Sequence, residues 1–248
     1  MTVRAAETSP QVYARLAGGL YLIVIVAGAF AEGFVRGRLR IDGDAAATAR
    51  NILAHEMLFR SGFVAGLVVT LCNVPMAVLF YALFKVVNRT VAALVLFFII
   101  TATAMESINL LNEFTPLILL TGGRALSAFN AEQLQALAYM SLRAQDAGFN
   151  IALTFFALYD LSIGYLVYRS TFMPRAVGVL MAIAGLCYLI NSFANFIAPA
   201  FARELFPYIL FPCALGEASL CLWLLAFGVN AQNWEMQAAR PAALITSG

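Results

Sequence analysis

The residues in this chain best suited to chemistry are carboxylic acids set among apolar neighbours. Glu106, Asn109 and Glu113 close a long hydrophobic run that begins at Val91. At about 100° per residue they fall within roughly 60° of one another on a helix. Two carboxyls and a carboxamide on one face can bind a cation, exchange a proton or hydrogen-bond a polar head group. An acid at the centre of a bilayer costs on the order of 3 kcal/mol even by lenient insertion scales. Such a face therefore turns toward a protein interior, a partner or water rather than toward lipid.

A second polar stripe runs through Asp146, Asn150, Asp160 and Gly164, all within about 80° on a helical wheel. Ala157 and Gly164 along it let another backbone come close, and Asp160 lies deep in its apolar segment. Farther on, Tyr188, Asn191 and Asn195 share a face, and Glu217 stands between Cys213 and Cys221 at intervals of four. Glu106, Asn109, Glu113, Asp160, Tyr188, Asn191, Asn195 and Glu217 are thus candidates to line a ligand cavity. His55, Glu56 and Asp146 are candidates for its mouth, the first two as an imidazole–carboxylate pair. The plain alternative is packing, since amides between membrane helices serve mostly as glue worth about 0.6 kcal/mol each.

Other chemistry is excluded by counting. His55 is the only histidine, which rules out HExxH zinc sites, carboxylate–histidine di-iron cages and bis-histidine haem within one chain. The four cysteines lie in apolar runs with no CxxC pair, so they read as small hydrophobes rather than metal ligands. No metal is assigned, no cofactor is implied and no residue has a defined catalytic role. The net charge of +2 is spread along the chain, which gives no footprint for nucleic acid.

The elements that must position these acids follow from composition. The 248 residues are 62% hydrophobic and 11% charged, against about 25% charged in soluble domains. This is an integral membrane protein, with membrane lipid as its first partner. Apolar stretches near the roughly 20 residues a bilayer requires predict six spans, at 14–35, 61–86, 90–111, 149–168, 174–197 and 205–229. The first resembles a secretory signal, with Arg4 and Arg15 before its apolar core, but is read as a membrane helix. Two amphipathic helices are expected in the long loops after spans one and three. Asp44 would cap the first, through Leu58, and Asn130 the second, through Ala144. A kink is expected at Pro75 and a helix end at Pro116. The expected fold class is an all-α, six-helix membrane bundle over residues 14–230, between a polar segment 1–13 and a flexible tail 231–248. Short loops with Lys85, Arg89, Arg169 and Arg175 place both termini in the cytoplasm.

Several stretches, in order, resemble a bacterial membrane family known as domain of unknown function 4386. They are Ala49–Arg60, Tyr81–Arg89, Gly164–Arg175, Gly178–Ile190 and Glu217–Leu225. The resemblance covers about residues 14–230 and implies a six-helix protein of the bacterial inner membrane, with no activity attached. Members of that family often carry a histidine where this chain has Tyr159. The resemblance then implies either that this chain lacks the chemistry of that histidine or that Tyr159 or Asp160 performs it instead.

Three functions remain open on the sequence. The first is binding or transport of a small polar or lipid-like ligand, a head group, a cation or a proton in an acid-lined cavity. The second is an intramembrane enzyme acting on lipid or isoprenoid through paired carboxylates. The third is a non-catalytic membrane scaffold.

Overall fold

The computed structural model describes residues 9–239. Among them the chain is helical throughout, without a strand: α1 Pro10–Leu39, α2 Ala45–Ala54, α3 Glu56–Phe84, α4 Arg89–Thr121, α5 Ala131–Arg169, α6 Arg175–Ile197, α7 Pro199–Leu205, α8 Leu210–Ala226 and α9 Ala231–Ala238. Five of these (α1, α3, α4, α5 and α6) are long and apolar enough to cross a bilayer. The pair α7 and α8 passes the same test together but is bent by 58°; the sixth span expected from the sequence, 205–229, falls mainly on the 17-residue α8. This is a multi-pass membrane protein. Its helices leave large apolar side chains such as Leu71, Phe97, Ile108 and Leu111 exposed, as lipid contact requires.

The amphipathic helices come out differently from one another. Asp44 does cap α2, accepting from the Ala47 amide at 2.8 Å, but the helix stops at Ala54. Asn130 caps α5 reciprocally with Gln133, each side chain bonding the other's amide at 2.9 Å, a capping box. Yet the expected surface helix and the fourth span are one continuous rod of 39 residues. Nothing in Gln145-Asp-Ala-Gly148 breaks a helix once the glycine has a packing role. A Cβ at Gly148 would collide with the carboxamide of Asn109.

Proline does not end helices here either. The α3 helix runs through Pro75, and α4 runs through Pro116 to Thr121. Pro116 has no N–H for the carbonyl four residues back. That carbonyl, of Asn112, accepts instead from Ser141 Oγ at 2.7 Å. Residues 231–238, read from the sequence as part of a tail, form α9. Trp234 Nε1 in α9 donates to the Leu83 carbonyl at 2.7 Å, satisfying one orphan acceptor at the end of α3. The outermost parts of both expected terminal segments, 1–8 and 240–248, lie outside the described residues.

Contacts gather the chain into two compact units, each described separately. Unit one comprises Met1–Leu22, Val74–Ile100 and Leu153–Gly248, and unit two comprises Ile23–Asn73 and Thr101–Ala152. The core of unit one holds Phe80, Phe84, Ile163, Leu166, Met181, Leu220 and Leu224, all fully buried. Unit two is built on Val35, Leu39, Ile52, Phe59, Leu117 and Leu142.

Candidate functional site

In unit one, small residues let helices approach closely enough to bury polar groups between them. A Cβ at Gly164 would stand 2.8 Å from the Gly178 carbonyl, and one at Gly216 would stand 2.6 Å from the Leu180 carbonyl. These contacts press α5 and α8 against α6. Gly18 brings α1 to α8 in the same way, 2.9 Å from the Leu225 amide by the same measure.

The polar centre so enclosed is organised around Asp160, which is 0% exposed. Neither of its carboxyl oxygens has a hydrogen-bond partner. Glu217 on α8 is its electrostatic neighbour, and Tyr188 on α6 stands beside Glu217. Glu217 and Tyr188 are both half-buried. Tyr21 and Tyr159 lie near the same acids and near each other. Both hydroxyls are buried without a hydrogen bond of acceptable geometry. Phe80 meets Tyr21 edge-on and stacks against Tyr159, each with ring centroids 6.1 Å apart. Cys213 Sγ lies 3.3 Å from the Ile209 carbonyl, and Cys221 Sγ 3.6 Å from the Gly18 carbonyl. These thiols behave as packed side chains. Asn191 is half-buried, and Asn195 is exposed with its amide on the Asn191 carbonyl.

Unit two holds the other acids, in a different electrostatic setting. The last third of α1 widens into a π-helix, Ala29–Arg36, a form often found at functional sites. It presents Glu32 and Arg36 four residues apart, and Arg40 follows just past the end of α1. Arg36 pairs with Glu32 and lies 4.0 Å from both Glu113 and Asp146. Arg40 reaches Asp146 at 2.7 Å and the exposed Asp42 at 3.1 Å. Burial works against the charge of Arg40, but these two carboxylates more than offset it and raise its pKa. Val35, Arg36, Leu39, Arg40, Glu113 and Leu142 help line a cavity of about 20 Å³, room for one water molecule.

Asn109, beside this network, is buried. Its Nδ2 donates to the Gln145 carbonyl at 2.9 Å, and its Oδ1 accepts from Asn112 at 3.1 Å. Glu106 lies within the field of Glu32, Arg36 and Glu113, with Oε1 buried and without a partner; Gln145 Oε1 is in the same condition. Glu113 is only 9% exposed and lies well inside α4, not at a helix end.

The sequence candidates thus divide. Asp160, Tyr159, Tyr188 and Glu217 gather in unit one, and Glu106, Asn109, Glu113 and Asp146 in unit two. The histidine pair does not form. His55 is exposed with Nδ1 on the Asn51 carbonyl, while Glu56 binds Arg60 through Nε and Nη2 at 2.8 and 2.7 Å. Sequence reasoning supplies only acids and amides as companions for Glu113 and overlooks Arg36, Arg40, Gln145 and Tyr21. The spacing Glu32-x3-Arg36-x3-Arg40 is the signal that finds the two arginines. Nothing local marks Tyr21 or Gln145.

Among the described residues no group of three or more His, Cys, Asp or Glu side chains is placed to hold a metal ion. Searches of curated proteins and of solved structures returned no match. A family model described as "Domain of unknown function (DUF4386)" matches residues 16–228, and the chain belongs to that family.

Proposed function

We propose that the protein is a six-span bundle of the bacterial inner membrane, with both termini in the cytoplasm, that binds a small cationic species at Asp160 and Glu217 and carries it across the bilayer. The observation that carries this reading is Asp160: fully buried, beside a second acid, with both oxygens unpartnered. A carboxylate kept in such a place without compensation costs several kcal/mol. Among the described residues no Lys, Arg or His forms an ion pair with either acid. Ionisable groups at membrane depth commonly mark ion pathways. The Arg36–Arg40 network in unit two has its charges paired and serves as a structural clamp. Lipid covers the apolar faces.

The test is flux. Full-length protein reconstituted in liposomes, with an internal pH indicator and an imposed gradient of protons, sodium or potassium, is expected to dissipate at least one of the three. Asp160→Asn and Glu217→Gln are each expected to abolish that flux. Variants that fold and conduct like the wild type would overturn the reading.

A further inference from the structure

We infer that unit two binds one ordered water molecule as a fixed part of its ion network, bridging Arg36 to Glu113. The ground is a cavity with two charged groups on its wall. Arg36 Nη1 is taken by Glu32, with Asp146 at 4.0 Å. Arg36 Nη2 is buried and has no hydrogen bond of acceptable geometry. Glu113 Oε2 stands 4.0 Å from that nitrogen, too far for a direct hydrogen bond. The two side chains are only 18% and 11% exposed, so bulk solvent serves neither well. Both line the cavity of about 20 Å³, and a water needs about 10–15 Å³ of such space.

The chemistry of the two groups selects the occupant. A guanidinium can only donate, and a carboxylate can only accept. An anion that suits Arg36 is repelled by Glu113, and a cation meets the reverse. Water is small enough for the cavity, accepts from the one and donates to the other. With hydrogen bonds of about 2.8 Å on each side, a water oxygen spanning the 4.0 Å gap sees its partners about 90° apart. One water molecule can serve both at that angle. The other polar side chains on the wall are already engaged. Thr48 Oγ1 lies 3.0 Å from the Ile41 amide and 3.2 Å from the Ile41 carbonyl. Arg40 is held by Asp146 and Asp42. The remainder, including Ile52, Phe59 and Leu142, is apolar. The network therefore reaches α5 directly, through Arg40 and Asp146, and reaches α4 through water. The site lies within unit two and makes no use of Asp160 or Glu217, so it stands whatever the flux measurement returns.

Crystallography of the full-length protein, at a resolution that shows ordered water, tests this. A single peak is expected about 2.8 Å from both Arg36 Nη2 and Glu113 Oε2. It should persist in Glu113→Gln, whose side-chain oxygen still accepts, and be lost in Glu113→Leu. X-ray footprinting of wild-type protein in lipid vesicles, after mixing with ¹⁸O water, gives a second readout. A trapped water oxidises the buried Phe59 or Leu142 beside it. Their uptake of the heavy isotope should lag behind that of exposed residues. If Glu113→Leu fails to fold, the wild-type peak and footprint decide. An empty site without the slow footprint, or a direct Arg36–Glu113 contact that closes the gap, overturns the inference. So does a peak that scatters anomalously once bromide replaces chloride, which marks an anion. A peak unchanged in Glu113→Leu also overturns the bridge, because Glu113 then does not hold the water.

Discussion

Arg40 Nη1 straddles the Asp146 carboxylate, 2.8 Å from Oδ1 and 2.7 Å from Oδ2, across 106 residues of sequence. The guanidinium side chain is 12% exposed and the carboxylate 30%, so the pair is part-buried and well shielded from screening by salt. Without Asp146 the Arg40 guanidinium keeps only the exposed Asp42, at 3.1 Å, in a place that water reaches poorly. Asp146→Asn is expected to destabilise the protein by about 2 kcal/mol, between the values for exposed and buried pairs. The double variant Arg40→Met/Asp146→Asn should recover part of that loss, because no stranded charge remains. Thermal melting of purified protein in detergent, arranged as a double-mutant cycle, measures this. Additive single effects would show that the two side chains do not act on each other.

That pair also shows where sequence reasoning stops. Hydropathy was enough to find the membrane helices, because a span of apolar residues has few other solutions in a protein of this composition. Asp44 and Asn130 were legible as caps because capping is local. The continuity of α5 and of α4 was not, since each depends on a distant partner: Asn109 against Gly148, and Ser141 on the Asn112 carbonyl. The acids were visible as polar residues in apolar runs. Their division between two units was not, because a helical wheel gives the angle around one helix and says nothing of which neighbour lies there. Asp160 and Glu217 come from helices packed through glycines, and Arg36 reaches Glu113 from near the end of α1.

The glycine contacts themselves are testable as a pair. A Cβ at Gly178 would lie 2.6 Å from both the Gly164 carbonyl and the Tyr168 amide, backbone atoms that cannot swing aside. Gly178→Ala is therefore expected to push α5 from α6 and to cost about 1–3 kcal/mol, as overpacking generally does. Gly19, in the middle of α1, has nothing within 4 Å of its notional Cβ. Gly19→Ala should be neutral or stabilise by up to about 1 kcal/mol, through helix propensity alone. Melting temperatures of the two variants should move in opposite directions. Equal and small shifts would mean that the α5–α6 contact has room for a methyl group.

Ser141 and Pro116 give the last case, where a defect on one helix is corrected from another. Proline at 116 leaves the Asn112 carbonyl without its usual donor, and Ser141 Oγ fills the gap at 2.7 Å. Ser141→Ala is expected to cost about 1 kcal/mol, the net worth of such a hydrogen bond. Pro116→Ala restores an N–H four residues from that carbonyl, so the helix satisfies itself. In the Pro116→Ala background the serine becomes redundant, and Ser141→Ala should then cost distinctly less than it does alone. Denaturation of the four proteins in one cycle reads the difference directly. If Ser141→Ala costs the same with and without the proline, the hydroxyl is not serving the orphaned carbonyl, and α4 runs past Pro116 for some other reason.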